Sequence, residues 1–196
     1  MTEIKVAKLL KFIIVEEHLL EQERTRIANL DYFNPSFAFR CLDFNNDGLL
    51  SENEFQSFLK ASAIPFNTSD LNYLLGLRSD KLEPGLNIRS FMKMVLPWSN
   101  PELEEFARKR RKPASEAYRR KVCLELKNFF RLLLKCFHTI EHEKIRVGLG
   151  HSTNLFILLN AKLQDWVTFE EMQIFMRRQH LAFSFKDWKA VVSRSG

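Results

Sequence analysis

Apolar residues recur along the first thirty positions at the spacing of one helical face. Val6, Ile13, Leu20 and Ile27 fall seven residues apart, and Leu9, Leu10 and Phe12 widen the stripe. The pattern predicts one helix over residues 3–29, about 40 Å long at a rise of ~1.5 Å per residue. Its polar face is expected to carry Glu16, Glu17, Glu21, Glu23, Arg24 and Arg26. A coiled-coil seam needs a second apolar position in each heptad, which is weak here beyond the first turns. The stripe is therefore read as packing on its own module, with a seam for a partner as the other reading. Asn34-Pro35 then breaks the run, because the residue before a proline is pushed out of helical backbone.

Four short amphipathic segments follow. The first carries Phe39 and Leu42, and the second Phe55, Phe58 and Leu59. Leu71, Leu74, Leu75 and Leu77 come after the cap-rich run Asn67–Asp70, and Phe91, Met94 and Val95 close the series before Leu96-Pro97.

The second half repeats the first. HLLEQERTRI starts at His18 and HTIEHEKIRV at His138, an offset of 120 that carries Val6, Ile13, Leu20 and Ile27 onto Leu126, Leu133, Ile140 and Val147. Leu9 and Leu10 fall on Phe129 and Phe130. After a three-residue contraction, Phe39, Leu42 and Asp43 meet Phe156, Leu159 and Asn160. Phe55 and Phe58 meet Met172 and Phe175, and Ser69-Asp70-Leu71 meets Lys186-Asp187-Trp188. The expected fold is all-α: two duplicated halves, each a long helix followed by helix–loop–helix units. The expected boundaries are 1–96 for the N-terminal lobe, 97–122 for a linker and 123–196 for a truncated C-terminal lobe.

Between the first two short segments lies DFNNDGLLSENE, Asp43–Glu54. It satisfies D-x-[DN]-x-[DN]-G-x5-E at every constrained position. Asp43, Asn45 and Asp47 supply short oxygen-bearing side chains at positions 1, 3 and 5, and Gly48 permits the sharp turn at position 6. Leu49 would offer its carbonyl, Ser51 a direct or water-mediated oxygen, and Glu54 both carboxylate oxygens. Leu50, at position 8, is the residue expected to meet a sister loop.

With amphipathic helices on both sides, this stretch resembles the EF-hand superfamily, specifically calmodulin-like proteins with paired hands. The repeat architecture is loosely similar to EF-hand proteins of ciliated protists. The resemblance implies one calcium ion held by Asp43, Asn45, Asp47, Leu49, Ser51 and Glu54. It also implies a calcium-responsive sensor or adaptor that works by binding a protein, or a structural scaffold in a cytoskeletal or axonemal assembly. The other hands depart from the pattern. RSDKLEPGLNIRS, residues 78–90, has Ser90 where the last ligand should be Glu, and reads as a degenerate hand kept for pairing, with Leu86 or Ile88 facing Leu50. NAKLQDWVTFEE, residues 160–171, has Lys162, Gln164 and Asp165 at positions 3, 5 and 6, so no ion is expected there. The fourth hand lacks loop and exiting helix, which leaves Val167, Trp166, Phe156, Phe175, Phe183 and Trp188 to be covered by a second chain, a copy or a partner's helix.

Composition adds a basic balance. The formal net charge is +6, unusual for a calcium sensor, and Arg108–Lys112 with Arg119–Lys121 concentrate it in the linker. That run is either a solvated linker or a docking site for an acidic surface such as tubulin tails. No specific nucleic-acid motif accompanies it. Cys41, Cys123 and Cys136 have no metal spacing and read as reduced thiols, the usage of an intracellular chain. No transmembrane run or signal peptide is expected, and Thr2 does not fit myristoylation. The expected setting is cytoplasmic, including cytoskeleton or cilium. His138-Thr139-Ile140-Glu141-His142 spells H-x-x-E-H, but Ile140 belongs to the buried stripe and the other copy has Gln22, so structural histidines and no enzyme are expected.

Overall fold

The computed structural model describes residues 3–76, 85–111, 116–146, 148 and 168–195, among which it has nine helices and one two-stranded ladder. They form two compact units, one of Leu20–Leu134 and one of Met1–Leu19 with Lys135–Gly196. Neither unit coincides with a lobe of the sequence repeat.

Helix α1 (Glu3–Ala28) follows its predicted range. Val6, Leu10, Ile13, Leu20 and Ile27 are buried as the stripe requires. Glu17, Glu21 and Arg24, expected on the polar face, are buried as well. The reason is register: Leu10, Glu17 and Arg24 stand four residues after Val6, Ile13 and Leu20, the second inward position of each heptad. Burial of charge is tolerable only with partners. The Arg24 guanidinium donates from Nε to the carbonyl of Met94 at 2.9 Å and approaches Glu21 at 3.4 Å. The other Glu21 oxygen accepts the Ser99 N–H at 2.8 Å and the Ser99 hydroxyl.

In the unit Leu20–Leu134, local chemistry fixes each helix start. Asn34 accepts the Phe37 N–H at 2.8 Å and Pro35 opens α2 (Pro35–Leu42). Ser51 and Glu54 form a reciprocal capping box at the head of α3 (Glu52–Ala61). Asn67 and Asp70 cap each other's N–H before α4 (Thr68–Gly76) at 2.8 and 3.0 Å. Asn87 accepts the Ser90 N–H at 2.9 Å to start α5 (Ile88–Val95). Strands β1 (Leu49–Leu50) and β2 (Leu86–Asn87) pair antiparallel, with Leu50 opposite Leu86 and Leu49 opposite Asn87. Of the two candidates, then, Leu86 faces Leu50. A Cβ on Gly85 would stand 3.0 Å from the Leu50 carbonyl, so a side chain there would hold the strands apart. Phe39 of α2 meets Phe91 of α5 edge-to-face at 5.6 Å.

Among the described residues, the stretch expected to be a linker is largely helical. Residues 97–122 contain α6 (Pro101–Lys109) and the first turns of α7 (Glu116–Arg146). Arg110 donates to the carbonyls of Ala28, Leu30 and Phe33, the last at 2.8 Å, and so closes the end of α1. Its own carbonyl accepts the Asn34 side-chain amide. Arg108 and Lys109 pair with Glu104 and Glu105 one turn back, and the Lys121 ammonium lies 5.6 and 5.7 Å from the Tyr32 and Tyr118 rings. Much of the basic run is thus engaged within the chain. Val122, Leu126, Phe129, Phe130, Leu133 and Leu134 of α7 are buried, with Phe130 edge-on to Phe55 at 5.5 Å and to Phe58 at 5.8 Å.

In the other unit, α8 (Phe169–Arg178) begins at a Thr168–Glu171 capping box, and α9 (Phe185–Ser195) begins where Ser184 and Asp187 cap each other. Met172, Met176 and Phe183 form one cluster with Val6, Ala7, Leu10 and Ile14 of α1, and Phe175 and Trp188 pack against it. The apolar surface expected to need a second chain is covered at these residues by the chain's own first helix. His18 Nε2 reaches Asp187 at 3.0 Å in the same unit. Burial alone would push the Asp187 carboxyl up, but the Ser184 hydroxyl, His18 and the Ser184 N–H outweigh it and hold it below the usual range. Phe156, Asn160, Lys162, Gln164, Asp165, Trp166 and Val167 lie outside the described residues.

Replacing Arg110 with alanine should lower the unfolding free energy by about 1–3 kcal/mol, because three backbone carbonyls lose their donor at once. The exposed neighbour Arg111 should tolerate the same change within about 0.5 kcal/mol. Urea denaturation of the two variants side by side checks the contrast.

Candidate metal centre

The loop Asp43–Glu54 is held by hydrogen bonds from its own backbone. Asp43 ends α2 as its C-cap, and its Oδ2 accepts the Gly48 N–H at 3.1 Å. Asn45 Oδ1 accepts the Asp47 N–H at 3.0 Å, and Asp47 Oδ1 accepts the Leu49 N–H at 2.8 Å. The Asn45 amide donates to Asp47 Oδ2 at 2.8 Å. Each short polar side chain thus reaches forward to turn the chain, as Asn and Asp side chains do in tight turns. Two left-handed residues complete the curve: Asn46 at φ 59° and Gly48 at φ 85°. Only a glycine adopts the latter without strain.

Glu54 closes the loop from the far side. Its Oε1 accepts the N–H of Phe44 at 2.8 Å and of Asn45 at 3.5 Å; its Oε2 accepts the N–H and hydroxyl of Ser51 at 2.8 and 2.7 Å. Burial pushes this carboxyl up, but the four donors more than offset it and hold it below the ordinary glutamate value. Ser51 and Glu54 therefore have a second role, as the helix cap of α3, that the sequence reading did not assign. The S-x-x-E spacing carries that signal.

Asp43 Oδ1 is the exception. It is buried and accepts no hydrogen bond, although an anionic oxygen out of water ordinarily has several donors. The donor set of Asp43, Asn45, Asp47 and Glu54 is made of hard oxygens, suited to a hard cation rather than to zinc or copper. The residues fit a calcium-type ion in chemistry, in the turn at Gly48, and in the unsatisfied oxygen of Asp43. Among the described residues, however, no three His, Cys, Asp or Glu side chains are gathered into one group. In this loop the carboxylates of Asp43, Asp47 and Glu54 are each tied to N–H donors named above.

The pairing loop differs at its end. The Leu50–Leu86 register sets Ser90 of α5 where Glu54 stands in α3, the third helical residue after the cap. Ser90 offers a hydroxyl where Glu54 has a carboxylate; residues 77–84 lie outside the described ones. In the H-x-x-E-H stretch of α7, His138 and His142 are exposed, and Glu141 accepts from the Lys144 ammonium at 2.6 Å. None of the three cysteines is in a disulfide.

No protein-family model, curated protein or solved structure matches the chain.

The lowered Glu54 carboxyl makes the metal-free loop acid-sensitive. A group whose folded value lies below its unfolded one stabilises the fold fully above the unfolded value, about pH 4.5, and loses that contribution as pH falls through the lower folded value. Denaturation in chelator should show stability falling below about pH 4.5, and Glu54→Gln should flatten that limb. Gly48→Ala should cost about 1–2 kcal/mol by the same measurement; no atom lies within 4 Å of the added methyl, so the cost is left-handed backbone strain alone.

Proposed function

We propose that the chain is a calcium-binding EF-hand protein with one functional site, Asp43–Glu54, acting through protein–protein interaction. The observation that carries this reading is the buried, unsatisfied Oδ1 of Asp43 at the head of a loop whose other side chains are hard oxygen donors. The ladder between Leu50 and Leu86 supports it, since paired hands share such a strand contact. Asp43, Asn45, Asp47 and Glu54 would hold the ion through side chains, with the Leu49 carbonyl and Ser51 completing the set. A bound calcium would supply positive charge that ties the end of α2 to the start of α3. Ser90 leaves the paired loop without the last carboxylate, so one ion per chain is proposed.

A structural scaffold, with little calcium dependence, is a second reading with an observation behind it. Phe55 and Phe58 of α3, on the helix leaving the loop, are already covered by Phe130. An ion at this loop would then stiffen an assembled module rather than uncover an apolar surface. The chain carries no catalytic arrangement in this proposal. Among the described residues no helix is long and apolar enough to cross a membrane.

Calorimetry should give one calcium per chain, with a dissociation constant on the order of 10⁻⁶–10⁻⁴ M. Glu54→Ala should abolish the binding, because it removes both oxygens of one carboxylate. Two comparable sites, or unchanged binding in that variant, would overturn the proposal. Apolar-dye fluorescence that rises with calcium would favour the sensor; a flat signal with a raised melting temperature would favour the scaffold.

A further inference from the structure

A target helix laid on a helix–loop–helix pair is recognised by apolar anchors spaced along one face. Residues 122–134 of α7 have that form: Val122, Leu126, Phe129, Phe130, Leu133 and Leu134 are all buried, while Leu124 and Arg131 between them are exposed. Within this run, Phe130 makes the contact with α3. Phe130 sits edge-on to both Phe55 and Phe58 of α3, at 5.5 and 5.8 Å, and packs on Phe129 at 5.6 Å. Edge-to-face rings of this kind contribute beyond their buried area.

The same contact recurs in the other unit, between the equivalent residues. The repeat carries Leu10 onto Phe130 and Phe55 onto Met172. Leu10 and Met172 belong to one buried cluster, with Phe175, the counterpart of Phe58, packed against it. In each unit, then, the long helix of one half packs on the helix after the loop position of the other half: α7 on α3, and α1 on α8. Two chemically different pairings, aromatic in one unit and aliphatic with thioether in the other, reach the same arrangement. That recurrence is hard to attribute to incidental packing.

We infer that the apolar face of α3, at Phe55 and Phe58, is a binding groove for an amphipathic helix, and that the chain fills it with its own residues 122–134. The occupant is tethered, so a foreign helix must displace it against a high effective local concentration. The groove is thus closed to ordinary partners and opens only to a helix that carries the same anchors at higher affinity, or when α7 is drawn away. The inference concerns the groove and stands whether or not the loop binds calcium.

The test uses the full chain in chelator. A labelled peptide of residues 118–136 is titrated into wild type, Phe130→Leu and Phe130→Ala, with a scrambled peptide as control. Wild type should take up little of it, whereas the variants, whose own helix is loosened, should bind it at least tenfold more tightly and ignore the scrambled peptide. Equal uptake by wild type would show that the groove is not filled from within. No uptake by variants that keep their helical circular dichroism would show that there is no groove. Hydrogen exchange on the wild type needs no variant. Residues 122–134 and 52–61 should open together at one rate, and a segment 122–134 that exchanges well before 52–61 would overturn the inference on its own.

Discussion

The two-residue ladder between Leu49–Leu50 and Leu86–Asn87 is the constraint on which the candidate site depends. Each loop alone would leave the N–H and carbonyl groups of its turn to water or to nothing, and buried groups of that kind must be paired. Pairing them fixes where α3 and α5 begin, one residue beyond each cap, and so places Glu54 and Ser90 at matching positions. Gly85 makes the approach possible, since any Cβ there would press on the Leu50 carbonyl. The loop that ends at Ser90 is therefore structurally important as the pairing template for the one that ends at Glu54.

The buried charges of α1 have a comparable role in the same unit. Arg24 and Glu21 tie α1 to Met94 in the last turn of α5 and to Ser99 just after it, through the Met94 carbonyl and the Ser99 N–H and hydroxyl. Such pairs cost desolvation and return it through geometry, so they fix position more than they add stability. Arg110 repeats the device at the end of α1. These contacts explain why the basic stretch is not simply a charged tether. Its charge excess is partly a set of internal caps and one-turn ion pairs, and surface pairs of that kind contribute little energy but do consume the free cations.

Covering the apolar faces is the remaining problem, and both units solve it alike. Phe130 lies over Phe55 and Phe58, and Leu10 shares a cluster with Met172 and Met176. In each unit a long helix from one half of the repeat packs on the helix after the loop position of the other half. Phe175, Phe183 and Trp188 find their cover on α1.

The sequence by itself determined the local features. The Asx-rich turn, its glycine, the capping residues Asn34, Ser51, Asn67 and Asn87, and the seven-residue stripe are all decided within a few positions of one another, so their spacing carries the information. The repeat determined that Phe130 and Leu10 would be equivalent. What the tertiary structure decided was what each apolar face meets. Periodicity shows that a helix has a buried side but not which neighbour buries it. A constant offset between halves is equally consistent with each long helix covering its own half or the other. The same limit hid the burial of Glu17, Glu21 and Arg24. Their residue type marks them for the surface, and only partners distant in the chain, Met94 and Ser99 among them, can make the inward position tenable.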